Sequence, residues 1–138
     1  MTPGAVRLAS VEVTGLAALF LMVALPHRRR QRDDAMTAMQ AVVLRVEEEG
    51  RTRTIRSSTP ITIGRAPTAT LIVTDAQVSR LHARIDLADG ILNVRDLDSR
   101  NGTFVNARPI ERPVDLHDGD EIDVGTTRIV FCGVGPWK

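Results

Sequence analysis

The chain has 138 residues, 43% of them hydrophobic and 25% charged, a composition that fits one globular domain with an appendage and excludes wholesale disorder. The net charge is +1, and residues 36–138 carry 13 basic against 14 acidic side chains. That neutrality, with 3% aromatic residues and no tyrosine, argues against a nucleic-acid binder, which needs cations for phosphates and rings for bases.

The first element in chain order is the apolar run LASVEVTGLAALFLMVAL, residues 8–25, followed by Pro26 and the basic cluster HRRRQR. As a helix, the run would rise about 27 Å, close to the roughly 30 Å hydrocarbon core of a bilayer, although Glu12 lies inside it. Positive charge follows the apolar run instead of preceding it, the reverse of a secretory signal. Three readings stand side by side: a single-pass membrane anchor with the remainder on the cytoplasmic face, an extension that is not membrane-embedded, and a start site at Met36 or Met39. In the first two readings residues 1–35 form an apolar segment with a basic linker; in all three the folded part lies within residues 36–138.

From Ala41 onward, short runs alternate with turn-rich separators. AVVLRV, TRTIRS, ITIG, TLIV, ARIDLA, ILNVRDL, TFVN, EIDVG and TRIVFC read as strands; EEEG, SSTP, RAPTA, ADG, DSRNG and HDGD read as turns. Many short strands without a helical period predict an all-β, antiparallel β-sandwich of about 95 residues. Within one strand, Ile91, Asn93 and Arg95 are expected on one face and Leu92, Val94 and Asp96 on the other. Cys132 is the single cysteine, so no internal disulfide or cysteine-based zinc site is expected, and it is assigned to the core of the last strand.

The loops carry a polar set that a sandwich does not need for stability. Arg65 leaves the end of ITIG; Ser79, Arg80 and His82 occur together in VSRLHARI; Arg100 and Asn101 lie in DSRNG, where Asn101-Gly102 is expected to supply positive φ. Taken singly, each has an ordinary reading: solvated arginines, a turn serine, a structural histidine. Together they offer three guanidinium groups, a hydroxyl and an amide, donors that suit a phosphate dianion.

In order along the chain, Gly64-Arg65, Ser79 with His82, Asn101-Gly102-Thr103 and Gly119-Asp120 resemble the forkhead-associated (FHA) domain, over about residues 41–131. The resemblance implies an eleven-stranded sandwich that binds phosphothreonine peptides through loops at one end. It implies Arg65 as the phosphate clamp, Ser79 as a hydroxyl donor to the phosphate, Arg80 as a contact to the phosphate or the peptide backbone, and Asn101 as the group that holds the peptide main chain. Arg100 either reinforces the anion site or points into solvent. His82, Thr103 and Asn106 are implied as structural support, with Gly64, Gly102 and Gly119 giving backbone freedom at three turns. Where the family often has glycine after Asn106, this chain has Ala107, which leaves that turn open.

The expected partner is a phosphothreonine-containing protein, a Ser/Thr kinase or its substrate. Nucleic acid is not expected, and a membrane enters only through residues 8–25. No cofactor or metal is expected, since no glycine-rich phosphate loop or metal motif is present. Ser79 and His82 lack a nucleophile-elbow pattern, so an enzyme is not expected either. The rival reading is a phosphate-independent interaction module on the same fold.

Overall fold

The computed structural model describes residues 40–136. The apolar segment 8–25, its expected helix and the basic linker lie outside these residues. Among the described residues, no helix is long and apolar enough to cross a membrane.

Eleven strands follow one another: β1 (Gln40–Glu48), β2 (Arg51–Ser57), β3 (Ile61–Gly64), β4 (Leu71–Ile72), β5 (Ala83–Ala88), β6 (Ile91–Asp96), β7 (Thr103–Val105), β8 (Arg108–Pro109), β9 (Val114–Asp115), β10 (Glu121–Val124) and β11 (Thr127–Pro136). They form a six-stranded sheet in the order β2-β1-β11-β10-β7-β8 and a five-stranded sheet in the order β4-β3-β5-β6-β9. The core lies between them. Leu44 and Val46 of β1, Ile122 of β10 and Ile129 of β11 meet Ile61 and Ile63 of β3, Ile85 of β5 and Val94 of β6, all fully buried. Each such side chain contributes about 1.5–3 kcal/mol relative to exposure. The alternation read in β6 is present: Leu92 and Val94 face the core while Ile91 and Arg95 are exposed.

The sandwich departs from the purely antiparallel expectation at one pair. β4 runs parallel to β3, with Ile63 opposite Leu71 and Gly64 opposite Ile72. The six residues between them contain a turn closed by the Ala69 N–H on the Ala66 carbonyl (3.0 Å), and they return the chain alongside β3 in the same direction. Two strands were not legible in the sequence, β8 and β9. Each spans two residues within ARPIERPVD, too short for a period to register, and Pro109 and Pro113 argue against strand.

The core assignment of Cys132 is wrong, because its side chain is exposed. Between Val42 and Leu44 of β1 lies one residue, whereas between their partners Val134 and Phe131 of β11 lie Cys132 and Gly133. This is a β-bulge, with Gly133 at φ 90°. Along β11 Thr127, Ile129 and Phe131 face the core, so Cys132 falls on the outer face with Arg128.

Three two-residue hairpins carry positive φ at both central positions: Glu49-Gly50, Asp89-Gly90 and Asn106-Ala107, the last at φ 49° and 65°. That is the type I′ pattern, whose twist matches the strands it joins. The turn left open by Ala107 is therefore built, with an alanine in a left-handed conformation that costs roughly 1–2 kcal/mol. Replacing Ala107 by glycine removes that strain and adds some unfolded-state entropy. Ala107→Gly is expected to raise stability by about 0.5–1 kcal/mol, read as a shift in urea midpoint at unchanged slope.

Candidate functional site

The β3–β4 corner, the β4–β5 loop, the β6–β7 loop and the β10–β11 turn are tied together by hydrogen bonds at one end of the sandwich. The β4–β5 loop runs beside the end of β3: the Arg65 N–H donates to the Ser79 carbonyl (3.1 Å), the Ala66 N–H to the Arg80 carbonyl (3.0 Å) and the His82 N–H to the Ile63 carbonyl (2.8 Å). A Cβ on Gly64 would stand 2.2 Å from the Arg80 carbonyl oxygen. Gly64 is thus required for close approach of two backbones, not for the turn freedom expected of it. The positive φ in DSRNG belongs to Asp98 (56°) and Gly102 (82°), not to Asn101.

Carboxylates hold these loops from beneath. Glu48, at the end of β1, accepts the Thr74 N–H, the Thr74 hydroxyl (2.9 Å) and the Asp75 N–H (3.1 Å). Asp75 is buried; it accepts the Gln77 N–H (2.8 Å), the Thr126 N–H (2.6 Å) and the Thr126 hydroxyl (2.7 Å), which joins the β4–β5 loop to the β10–β11 turn. In the β6–β7 loop, Asp96 accepts the Ser99 N–H (2.9 Å) and the hydroxyls of Ser99 and Thr103 (2.6 Å each). The Ser99 oxygen in turn accepts the Gly102 N–H (2.9 Å).

His82 is fully buried and joins the two loops. Its Nδ1 accepts the Ser79 N–H (3.0 Å), which leaves the proton on Nε2, and Nε2 donates to the Gly102 carbonyl (2.9 Å). The Arg100 N–H donates to the Ser79 hydroxyl oxygen (3.0 Å), and the Asn101 side-chain amide donates to the Gln77 carbonyl (2.7 Å).

Above this frame opens a cavity of about 410 Å³ whose lining includes Arg65, Gln77, Ser79, Arg100 and Asn101, with no carboxylate. Arg65 donates from Nε to the Val78 carbonyl at 3.4 Å, which leaves its terminal nitrogens available. Arg84 and Arg95 pair with Asp86, and Arg128 pairs with Asp123 and Glu121. Among the described residues, Arg65, Arg80 and Arg100 pair with no carboxylate. The Arg80 side chain is exposed and lies outside the cavity lining, so that residue serves the loop through its carbonyl. Asn106 sits elsewhere: it donates to Asp120 (2.9 Å), accepts the Glu121 N–H (3.0 Å) and has no hydrogen bond to the loops of the cavity. A larger recess of about 860 Å³ sets Glu111 beside Arg108 and Arg112 around Val105 and Ile110, so that, unlike the first cavity, its lining includes a carboxylate.

Sequence reasoning found the cavity's donors and missed its supports, Glu48, Asp75, Asp96 and Ser99. The Asp75-Ala76-Gln77 Asx turn and the Asp96-to-Ser99 spacing were available as local signals. Nothing local announces Glu48 or the Thr126 partner of Asp75, which are separated from their partners by 26 and 51 residues.

A family model for the FHA domain matches residues 61–125. A solved chain from a structural and functional analysis of phosphothreonine-dependent FHA domain interactions is 34% identical, with a TM-score of 0.59; the match covers 70% of this chain and 99% of that one. The chain belongs to the FHA domain family. The FHA domain of FhaA, solved in complex with the intracellular domain of Rv3910, is 36% identical with a TM-score of 0.56, over 64% of this chain and 97% of that one. Among curated relatives, the glycogen accumulation regulator GarA of Mycobacterium tuberculosis is 43% identical over 73 residues, 53% of this chain and 44% of GarA. The chain thus spans less than half the length of that relative.

The supporting carboxylates of this FHA domain make its stability depend on pH. Burial pushes the Asp75 and Asp96 carboxyls up, but donors from Thr126 and Gln77 in the first case, and Ser99 and Thr103 in the second, outweigh it and hold both below the usual carboxylate range. Burial likewise raises Asp120, and the Asn106 amide and the His117 N–H more than offset it. The unfolded chain therefore binds more protons in acid, so the stabilisation is complete above about pH 5 and is lost as pH falls below about 4. Thermal melts from pH 7 to pH 3 should show the midpoint falling over that range, and Asp75→Asn should flatten the fall while lowering the midpoint at pH 7.

Proposed function

We propose that this FHA domain binds phosphothreonine-containing proteins and so reads the output of Ser/Thr kinases. The observation that carries the reading is the convergence of Arg65, Ser79 and Asn101 from three separate loops on one cavity that contains no carboxylate. Phosphothreonine-dependent interaction of a solved FHA relative, at 34% identity, supports the same chemistry.

In this reading the dianion docks against the free nitrogens of Arg65 and accepts the Ser79 proton. That proton is available because the Ser79 oxygen already accepts the Arg100 N–H. The Asn101 amide nitrogen is held by the Gln77 carbonyl, which leaves its oxygen to accept an N–H from an extended peptide. Charge-assisted hydrogen bonds of this kind contribute about 1.5–3 kcal/mol each. After desolvation and peptide ordering, a dissociation constant on the order of 1 μM is expected.

The chemistry is binding and not turnover. His82 Nδ1 accepts the backbone N–H of Ser79, and Nε2 is occupied by Gly102, so neither ring nitrogen faces the Ser79 hydroxyl as a base.

Arg65→Ala should weaken binding of a phosphothreonine peptide by about 10- to 100-fold, with the melting midpoint nearly unchanged because the side chain is exposed. Calorimetry with phosphorylated and unphosphorylated forms of one peptide checks this. Equal affinity for the two forms would assign the fold to phosphate-independent interaction instead.

A further inference from the structure

The two open sides of the sandwich are finished differently. On one side Arg53 of β2 donates to the Ile72 carbonyl of β4 (2.6 Å), which joins the two edge strands across the seam between the sheets. On the other side the sheets end in β8 and β9, two residues each, and among the described residues no hydrogen bond joins that pair. The chain crosses from one sheet to the other there through Ile110, Glu111, Arg112 and Pro113. The recess of about 860 Å³ opens at this seam. Val105 of the core and the half-buried Ile110 and Val114 line it, and the exposed Arg108, Glu111 and Arg112 share that lining.

Two features restrict what can cover it. Pro109 lies in the edge strand β8 and has no N–H to give, which disfavours the addition of an extended strand, so contact has to come through side chains. The lining also carries both signs of charge without pairing them: among the described residues, Arg108, Glu111 and Arg112 form no ion pair with one another or with any other group. A uniformly acidic partner would face Glu111 and a uniformly basic one would face two guanidinium groups, in each case a like-charge contact. The surface that fits has an acid and a base beside an apolar patch. A second copy of the same recess has that composition, and a two-fold axis brings unlike charges together twice.

We propose that this recess is a self-association surface, through which two copies of the chain pair about a two-fold axis, apolar seam against apolar seam and Glu111 of each copy against Arg108 or Arg112 of the other. The eight lining residues are fewer than the roughly 20–30 per side of a standard interface, so the dimer is weak and reversible, with a dissociation constant on the order of 100 μM. The recess shares no lining residue with the cavity of Arg65 and Ser79. Pairing here therefore uses none of the phosphate donors, and the pair carries two such cavities. In the phosphothreonine reading, that makes it a bivalent reader, whose second binding event is favoured by effective concentration.

The test is sedimentation equilibrium of the full chain over about 5–500 μM, a range that brackets the expected constant. The wild type should shift from monomer to dimer with concentration, and less so at high salt. Glu111→Arg, which leaves only positive charge on the lining, and the double variant Arg108→Glu with Arg112→Glu, which leaves only negative charge, should each weaken self-association about tenfold or more. Their melting midpoints should stay near that of the wild type, because all three side chains are exposed. An equimolar mixture of the two variants should restore a dimer that contains one copy of each. A monomer at every concentration overturns the proposal. So does association that both variants retain in full, which would place the contact on another surface, and so does a mixture that associates no better than its components.

Discussion

The buried and half-buried carboxylates beneath the loops are the interaction on which the rest of this end of the molecule depends. Glu48, Asp75 and Asp96 accept backbone N–H groups and hydroxyls of the segments that carry Gln77, Ser79, Arg100 and Asn101. A loop exposes backbone donors that must find partners, and a carboxylate can take several at once. Because loop amides and hydroxyls satisfy these acids, they are not drawn to the arginines above them. The cations of the cavity stay unneutralised for the same reason that the loops stay ordered.

His82 makes the two sides of the cavity one unit. A neutral imidazole has one acceptor and one donor, and here each is matched to a backbone group on a different loop, Ser79 on one and Gly102 on the other. Buried with both nitrogens paired, it fixes the distance between Ser79 and the Asn101-Gly102 turn. The Arg100 N–H on the Ser79 hydroxyl closes the same gap from outside and leaves that hydroxyl's proton available. Preorganisation of this kind reduces the ordering cost of binding, which matters for a ligand held by a few polar contacts.

The sandwich decides where these loops meet. Strand pairing puts the β10–β11 turn, the end of β1 and the β4–β5 loop at one end, where Asp75 and Glu48 can reach across sheets. Gly64 and Gly125 mark where this packing is tightest: a Cβ would fall 2.2 Å from the Arg80 carbonyl at one and 2.6 Å from the Asp75 carboxylate at the other. Both glycines are required by contacts with residues distant in the chain. Arg84, Arg95 and Arg128, elsewhere on the sheets, have carboxylate partners, whereas Arg65 and Arg100 at this end have none.

The sequence by itself determined what depends on local chemistry. Period-two runs between turn residues specified nine of the strands, and Arg65, Ser79 and Asn101 were legible as donors because their residue types and flanking turns are local facts. It misplaced Cys132, which alternates with the buried Ile129 and Phe131 and so lies on the outer face of β11. It could not reach β8 and β9, whose two residues are strand only because a neighbour pairs with them. Only the tertiary structure decided that Gly64 is a contact and not a hinge, that Arg80 stands outside the cavity Arg100 lines, and that Glu48 and Asp75 support it. Those facts belong to residue pairs far apart in the chain, and a linear pattern records residues, not the distances that folding brings between them.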